Sequence, residues 1–414
     1  MEESKDTKKN VIWLGLTSLL SDVSSEMIMA LLPLFLVDLG ASRSLVGLIE
    51  GVAEATASVF KALSGWISDR LQARKGLVVV GYTLSTAVKP FIALANTWYQ
   101  VLAVRFVDRI GKGVRNAPRD ALIADSVEEH ERGRSFGLQR GMDTAGAVIG
   151  TLLASGFIYL FTKYTNMPVL TQYRTIFWIS VIPGILAIFI VAVFVKDVAA
   201  KKFEKQDIKL AWGSLDSAVP GGRQGFRAFL IASAVFELSN FSYALFILRA
   251  KDLGVILALI PIIYLVYNVV YSALAQPLGL LVDKIGKKVV LAAGYILSAL
   301  MLIGFAVAIH PLQAWVLFVL YGCAMAITQT TPRALLADLV PAELRGTAYG
   351  IYYTLIGLIA LPASAIAGLL WDRFSPLMAF SYGAVLAAAA AWLVLTMIPA
   401  RPAGGPSAKL TKGS

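Results

Sequence analysis

Residues 65–70 read GWISDR and residues 279–284 read GLLVDK, so one short motif with an aspartate followed by a base occurs twice. A second motif also occurs twice. ALIAD at 121–125 is followed by RGRSFG at 132–137, and ALLAD at 334–338 is followed by RGTAYG at 345–350. The offsets are 214 residues for the first pair and 213 residues for the second. Two independent motifs at nearly one offset indicate a duplicated chain with two related halves.

Apolar residues dominate the sequence around these motifs. Of the 414 residues, 57% are hydrophobic and 15% are charged, and the mean hydropathy is +0.71. Soluble domains carry about 25% charged and about 45–50% apolar residues. A soluble domain of this size needs a polar surface, so the composition indicates that most of this surface faces lipid.

Apolar runs separated by polar turns predict twelve transmembrane helices, because about 20 apolar residues cross the hydrocarbon core. The runs cover 11–38, 44–68, 77–95, 98–125, 134–161, 174–195, 226–248, 255–282, 289–309, 313–339, 346–370 and 376–398. The predicted fold is an all-α membrane protein with two six-helix bundles, residues 1–195 and 226–398. A cytoplasmic linker over 196–225 joins the bundles, and a cytoplasmic tail covers 399–414.

Lys and Arg residues are distributed unevenly between the two sides of the predicted helices. With both termini on one side, the segments on that side hold 22 of them and the opposite segments hold six. Cytoplasmic loops are enriched in Lys and Arg. We therefore predict a multi-pass protein of the inner (cytoplasmic) membrane with both termini in the cytoplasm.

Composition also disfavours several functional classes. The net charge of +11 does not indicate nucleic-acid binding, because the bases lie in short loops and not on one exposed patch. A single cysteine and two histidines exclude an internal disulfide and disfavour a soft-metal site. No nucleophile–base pair or phosphate loop stands out. We expect no enzyme, no metal and no cofactor, and a monomer whose partners are the lipid bilayer and a small-molecule substrate.

Charged residues inside the predicted helices carry the strongest functional signal. The N-terminal bundle holds six acids and seven bases at depth, whereas the C-terminal bundle holds Glu237 and little else. A charge near the bilayer centre costs at least about 2.5–3.5 kcal/mol, so these groups must pair, contact water or change protonation state. They are Asp22, Glu26, Glu50, Glu54, Asp108 and Asp143, with Lys61, Lys89, Arg105, Arg109, Lys112, Arg115 and Arg140.

Two interpretations of these charges stay open. They form a static lattice of salt bridges that holds helices together, or they form a site for proton coupling and polar substrate binding. In the second interpretation Asp22 and Glu26 lead as proton carriers, because they lie four residues apart on one face midway along the first helix. Glu50 and Glu54 are the second choice, and Arg109 is the base that tunes the acids.

The predicted substrate site combines bases of the fourth helix with polar residues of both bundles. Lys112 and Arg115 are the candidates for an anionic substrate group. Tyr264, Tyr267 and Tyr271 form a tyrosine stripe on one face of the eighth helix, which is either a wall of the binding site or a surface for helix packing. The predicted substrate-binding residues are Lys112, Arg115, Arg140, Asp143, Glu237, Asn240, Tyr267, Asn268, Tyr271 and Gln329.

Other residues of the fourth helix have simpler hypotheses. Gly111 and Gly113 are expected to loosen the helix and allow close backbone approach. Arg105 and Arg119 lie nearer the helix ends, so snorkelling to the lipid interface is an alternative role for them.

The sequence resembles a major facilitator superfamily transporter over essentially the whole chain. GWISDRLQARK at 65–75 is similar to that superfamily's Gly-x-x-x-Asp-Arg signature, and GLLVDKIGKK at 279–288 is similar to its second copy. Arg109–Gly113 resembles its Arg-x-x-x-Gly element. The chain also resembles a bacterial group with SDxSSEM in the first helix, at 21–27, and DRIGKGxRNAPRDALIADS in the fourth, at 108–126.

The resemblance implies alternating access, in which the two bundles rock about a central cavity. It also implies charged gates, because pairs that form in one state and break in the other bias a two-state equilibrium. The alternative is that these charges only fix short turns and topology. The implied gating residues are Asp69, Arg70, Asp125, Arg132, Asp283, Asp338 and Arg345.

Three functional hypotheses stay open. The first is a secondary transporter that exports a small solute with proton coupling, as in drug efflux. Gly150 is followed by Thr151, where the superfamily's antiporter signature usually has a Gly-Pro step, and this stands against it. The second is a carrier of an organic anion or metal chelate by uniport, symport or exchange. The third is a non-transporting membrane receptor or assembly factor.

Overall fold

The computed structural model describes residues 2–71, 74–128, 131–198, 222–340 and 345–398. These residues form α-helices and one short 3-10 turn, with no strand among them. The predicted all-α membrane fold is therefore confirmed. Residues 199–221 of the predicted linker and the predicted tail at 399–414 lie outside the described residues.

The described helices form twelve segments that cross the bundle in alternating directions. The N-half contains α1 (Glu2–Met29), α2 (Leu32–Asp38), α3 (Arg43–Leu71), α4 (Arg74–Ala87), α5 (Lys89–Leu94), α6 (Trp98–Asp125), α7 (Arg132–Tyr164) and α8 (Val169–Val193). The C-half contains α9 (Gly222–Ser239), α10 (Tyr243–Asp252), a 3-10 turn (Leu257–Leu259), α11 (Ile260–Ile285), α12 (Lys287–Val307), α13 (Pro311–Leu339), α14 (Arg345–Arg373) and α15 (Pro376–Met397). We call the end where α1 begins the near face and the opposite end the far face.

Three of the twelve segments are broken into two helices. Pro33 and Pro90 lie at the second positions of α2 and α5, and proline lacks the N–H that would continue the preceding helix. In the C-half, Ser242 starts α10 by accepting a hydrogen bond from the Ala244 amide. The breaks after α1 and α9 place polar backbone near the middle of the protein.

The surface and helix composition fit a lipid environment. Ten of the described segments are long and apolar enough to cross a membrane; the two others, α3 and α6, carry much of the buried charge. Large apolar side chains such as Val385, Trp392 and Phe189 are 56–68% exposed around the bundle. The chain is an integral multi-pass membrane protein.

Glycines on α6 bring this charged helix close to its neighbours. A Cβ at Gly111 would lie 2.8 Å from the carbonyl oxygen of Gly81 on α4, and one at Gly113 would lie 2.6 Å from Cβ of Phe60 on α3. Helix α6 is unbroken through both positions. The expected close backbone approach is therefore confirmed, whereas α6 shows no break at either glycine.

The halves meet most closely at the far face. Asp372 on α14 accepts hydrogen bonds from the backbone amides of Arg43 (3.1 Å) and Ser44 (2.8 Å) at the start of α3. Arg43 also pairs with Asp252 at 3.7 Å. Among the described residues, the hydrogen bonds and ion pairs that join the halves lie at this face or in mid-bundle, so the far face is closed.

Candidate functional site

A cavity of about 480 Å³ lies between the halves and extends toward the near face. Four N-half helices (α1, α3, α6 and α7) and two C-half helices (α11 and α13) line it. Its wall is strongly charged for a membrane protein. The charged residues that line it are Asp22, Glu26, Lys61, Lys112, Arg115, Arg119, Asp120, Arg140, Asp143 and Arg333.

A smaller cavity of about 130 Å³ continues from this site toward the far face. Asp22, Glu26, Lys112 and Arg115 line both cavities. At its floor, the Tyr243 hydroxyl donates to the sulfur of Met29 at 3.4 Å. Met29 ends α1 and Tyr243 begins α10, so two of the helix breaks meet where the site is closed.

One group of the predicted intramembrane charges forms a dry ion-pair cluster. The side chain of Arg105 is 0% exposed and donates from Nη2 to both carboxylate oxygens of Glu50 at 2.9 Å. Its Nη1 donates to Asp108 at 3.1 Å, and Ser85 also donates to Asp108. This cluster joins α3, α4 and α6, and it fits the static-lattice interpretation.

Arg109 pairs with an acid on α3. Its Nη1 lies 3.4 Å from Oε1 of Glu54, whose side chain is 55% exposed. Arg109 was expected to tune the acids, and its ion-pair partner among the described residues is Glu54 and not Asp22 or Glu26.

A second group of charges lines the cavity without an ion-pair partner among the described residues. Among the described residues, no base lies within ion-pair distance of Asp22, Glu26 or Asp143, and no acid lies within that distance of Lys112 or Arg115. Oε2 of Glu26, Oδ1 of Asp143, and Nε and Nη1 of Arg115 are buried without a hydrogen bond. Most of the predicted charges thus belong either to ion pairs or to the cavity wall, whereas the buried Lys89 donates to the hydroxyls of Ser24 and Ser25.

The predicted tyrosine stripe does two things. The rings of Tyr264, Tyr267 and Tyr271 on α11 follow one another with centroids 5.9 and 6.3 Å apart, and Tyr267 stacks on Tyr321 at 4.4 Å. Tyr271 also lines the cavity, and the Arg140 guanidinium lies 5.9 Å from its ring centroid across the halves. The stripe thus combines helix packing with a contact in the cavity.

The predicted substrate residues are not all in one place. Lys112, Arg115, Arg140, Asp143, Asn268 and Tyr271 line the large cavity. Glu237 and Gln329 line a separate cavity of about 100 Å³ within the C-half, where Asn240 donates to Glu237 at 3.3 Å. Arg333 lines both this C-half cavity and the large cavity between the halves.

Sequence reasoning missed several residues of the cavity. Arg119 lines the cavity, donates to Ser18 at 2.9 Å and pairs with Asp120 at 2.9 Å. The snorkelling alternative is therefore wrong for Arg119, and also for Arg105, whose side chain has no exposed surface. Arg333 on α13 was not among the residues that the sequence singled out.

Two of the implied gating acids form pairs within their own halves. Asp125 pairs with Arg74 on α4, and Asp338 pairs with Lys287 at 2.6 Å. Each pair joins neighbouring helix ends at the near face. The side chains of the other implied gating residues, Asp69, Arg70, Arg132, Asp283 and Arg345, lie outside the described part of the chain.

Comparison with known proteins supports the architecture described above. Residues 14–236 and 227–413 each match the Major Facilitator Superfamily. An uncharacterized MFS-type transporter of Methanocaldococcus jannaschii is 38% identical over 400 residues, which cover 95% of this chain and 96% of that protein. The multidrug resistance protein MdtH of Photorhabdus laumondii is 34% identical over 121 residues, 29% of this chain and 30% of that protein.

A solved structure shares the fold at low sequence identity. The crystal structure of a point mutant of the nucleoside transporter NupG matches with a TM-score of 0.78 and 14% identity, and the match covers 94% of this chain and 100% of that one. At this identity the likeness concerns the fold alone. The family matches and the relative that is alike over nearly its full length confirm the resemblance found in the sequence: the chain belongs to the Major Facilitator Superfamily, whose members are secondary transporters.

Proposed function

We propose that this chain exchanges a small polar solute for protons by alternating access, and that it exports the solute. One observation carries the proposal: three carboxylates of the central cavity, Asp22, Glu26 and Asp143, have no base within ion-pair distance among the described residues. A carboxylate in such a place is free to exchange a proton with water when the cavity is open. Once protonated it is neutral, so it can be enclosed during the transition without the cost of burying a charge.

The other membrane acids have different roles in this proposal. Glu50 and Asp108 hold Arg105 in the dry cluster, and Glu54 faces Arg109. We assign structural roles to Glu50 and Asp108. If either carboxylate took up a proton, it would lose its negative charge and leave the buried charge of Arg105 uncompensated. Asp22 and Glu26 are the coupling acids, since they alone of these acids line both cavities between the halves without a basic partner.

The proposed orientation places the near face in the cytoplasm. The excess of Lys and Arg in segments at that side supports it. With an inward proton gradient, exchange moves the solute outward. The partial likeness to a multidrug resistance protein supports export as the direction, and the polar wall favours a polar solute over a lipophilic one.

A carrier of organic anions is the second candidate function. The cavity wall favours it, because the described lining residues include six bases and four acids. The extra bases would attract an anion into the cavity. Exchange of an anion for another anion would need no proton movement, which separates this candidate from the first.

Neutralising the coupling acids is expected to abolish proton exchange. In proteoliposomes that contain a pH-sensitive dye, a mixed pool of anionic, neutral and cationic polar metabolites should drive proton movement through the wild-type protein. Asp22→Asn and Glu26→Gln should each reduce that movement to the level of empty liposomes, because neither amide can carry the proton.

Asp120→Asn is the matched control for this experiment. Asp120 lines the same cavity, but it is paired with Arg119 at 2.9 Å, so its variant should keep the wild-type proton movement. Wild-type rates in both Asp22→Asn and Glu26→Gln would overturn the assignment of coupling. Solute exchange without proton movement in the wild type would favour the anion carrier.

A further inference from the structure

The central cavity contains buried polar atoms of both signs that have no partner. Oε2 of Glu26 and Oδ1 of Asp143 are acceptors without a donor, and Nε and Nη1 of Arg115 are donors without an acceptor. All three residues line the same cavity. Buried polar side-chain atoms are nearly always hydrogen-bonded in folded proteins, so this combination points to a ligand that satisfies both signs.

Arg115 is prepared for an anionic group. The side chain is held in place because its guanidinium lies 4.2 Å from the ring centroid of Tyr82, and the residue is 4% exposed. The Tyr82 hydroxyl is in turn 3.1 Å from the Ser18 hydroxyl. Stacking engages the face of the guanidinium and leaves N–H groups on its edge free. Those edges match a carboxylate or phosphate through two parallel hydrogen bonds.

The two acids are prepared for a cationic group. Gln139 donates to Oδ2 of Asp143 at 2.6 Å, which orients the carboxylate and leaves Oδ1 unoccupied. Glu26 lies half-buried on α1 without a base within ion-pair distance among the described residues. An ammonium group offers three donors and a positive charge, so it satisfies these acceptors where a neutral hydroxyl would leave the charge uncompensated.

We propose that the transported solute is a small zwitterion, with an ammonium group held by Glu26 or Asp143 and a carboxylate or phosphate held by Arg115. This rests on the proposed function and names the substrate class of the same site. A simple cation would leave the buried donors of Arg115 unpaired, and a simple anion would leave the carboxylates unpaired. A zwitterion satisfies both sets and adds no net charge to the enclosed cavity.

The test compares ligands that share one scaffold and differ in charge. Calorimetric titration of the full chain in lipid nanodiscs at one pH uses leucine, leucinamide, N-acetylleucine and N-acetylleucinamide, which are zwitterionic, cationic, anionic and neutral. Aminocaproate with its amide and N-acetyl forms repeats the series at a longer charge separation. In one scaffold at least, the zwitterion should bind about tenfold or more tightly than each singly charged form.

Three variants assign each charge to its partner. Either Glu26→Gln or Asp143→Asn should remove the preference for the zwitterion over its N-acetyl form, because in one of them the ammonium group loses its carboxylate. Arg115→Gln should remove the preference for the zwitterion over its amide. Lys163→Gln, at an exposed site outside the cavity, should keep both preferences.

The outcomes separate this inference from the proposed function. Singly charged forms that bind as tightly as the zwitterion in both scaffolds would overturn the inference, as would preferences that persist in Glu26→Gln, Asp143→Asn and Arg115→Gln alike. The titration needs no proton gradient, so it is independent of the proton-movement assay. If the zwitterion shows no preferential binding while the metabolite pool still drives proton movement, only the substrate class is wrong. A zwitterion that binds while no proton movement occurs contradicts the coupling alone.

Discussion

Gly47→Val is expected to hold the far face open and to abolish transport while both halves stay folded. A Cβ at Gly47, on α3 of the N-half, would meet the backbone carbonyl of Ser364 on α14 of the C-half, with the carbonyl carbon at 2.8 Å. A few residues away, a Cβ at Gly368 would lie 2.6 Å from Cα of Ser44. These contacts are with backbone, so no side-chain rotation relieves the clash.

The clash acts on one conformation only. It arises between the halves when the far face is closed, and it disappears when the halves separate there. Overpacking costs about 1–3 kcal/mol, which shifts a two-state equilibrium about 5- to 150-fold. A transporter that rarely closes its far face cannot complete the cycle.

Distance measurement by pulsed electron paramagnetic resonance tests this prediction. Spin labels at Tyr164→Cys and Ile309→Cys report on the far face, since these residues are 69% and 86% exposed at the ends of α7 and α12. Cys323→Ser removes the native thiol. Gly47→Val should lengthen the distance, whereas Gly156→Val, at a helical glycine with no atom near its Cβ position, should not. An unchanged distance in Gly47→Val would contradict the assignment.

Arg105→Leu is expected to destabilise the protein by about 3–5 kcal/mol, the range found when one partner of a buried ion pair is removed. The Arg105 side chain is fully buried and holds both Glu50 and Asp108. Without it, two carboxylates are left close together in a dry environment between α3 and α6. Thermal unfolding in detergent should show a large fall in the midpoint and a low yield of folded protein.

A triple variant separates the loss of one partner from the loss of the cluster. Glu50→Leu, Arg105→Leu and Asp108→Leu together remove every charge of the cluster, and replacing a whole buried ionic group by apolar residues is often neutral or stabilising. The triple variant should recover most of the midpoint lost in Arg105→Leu. Lys163→Leu, at an exposed cation, should leave it unchanged. A triple variant less stable than Arg105→Leu would show that the cluster does more than balance charge.

The sequence predicted the fold class correctly because lipid imposes a simple, local requirement. Each crossing segment must be long and apolar, and every one of the ten segments that satisfy this requirement in the structure corresponds to a predicted run. The two segments with many charges, α3 and α6, correspond to the predicted runs 44–68 and 98–125. The predicted runs 11–38 and 77–95 contained no break, although Pro33 and Pro90 mark the breaks that the structure shows, and the break after Ser239 has no proline to mark it.

The candidate site was predictable only in part. Spacing along α6 places Arg105, Asp108, Lys112 and Arg115 at steps of three or four residues, which puts neighbours on one helix face. Spacing does not say which neighbouring helix that face meets. Arg105 meets Glu50 on α3, while Arg115 meets Tyr82 and an open cavity.

Sequence alone therefore determined that this protein is a duplicated, lipid-embedded helical bundle with its charges gathered in one half, because hydrophobicity, repeats and charge are properties of the chain itself. Tertiary structure decided which of those charges form a dry lattice and which line the cavity. That division depends on the distance between side chains of different helices and on the exclusion of water. For the same reason, only the tertiary structure shows that Arg119 and Arg333 line the cavity.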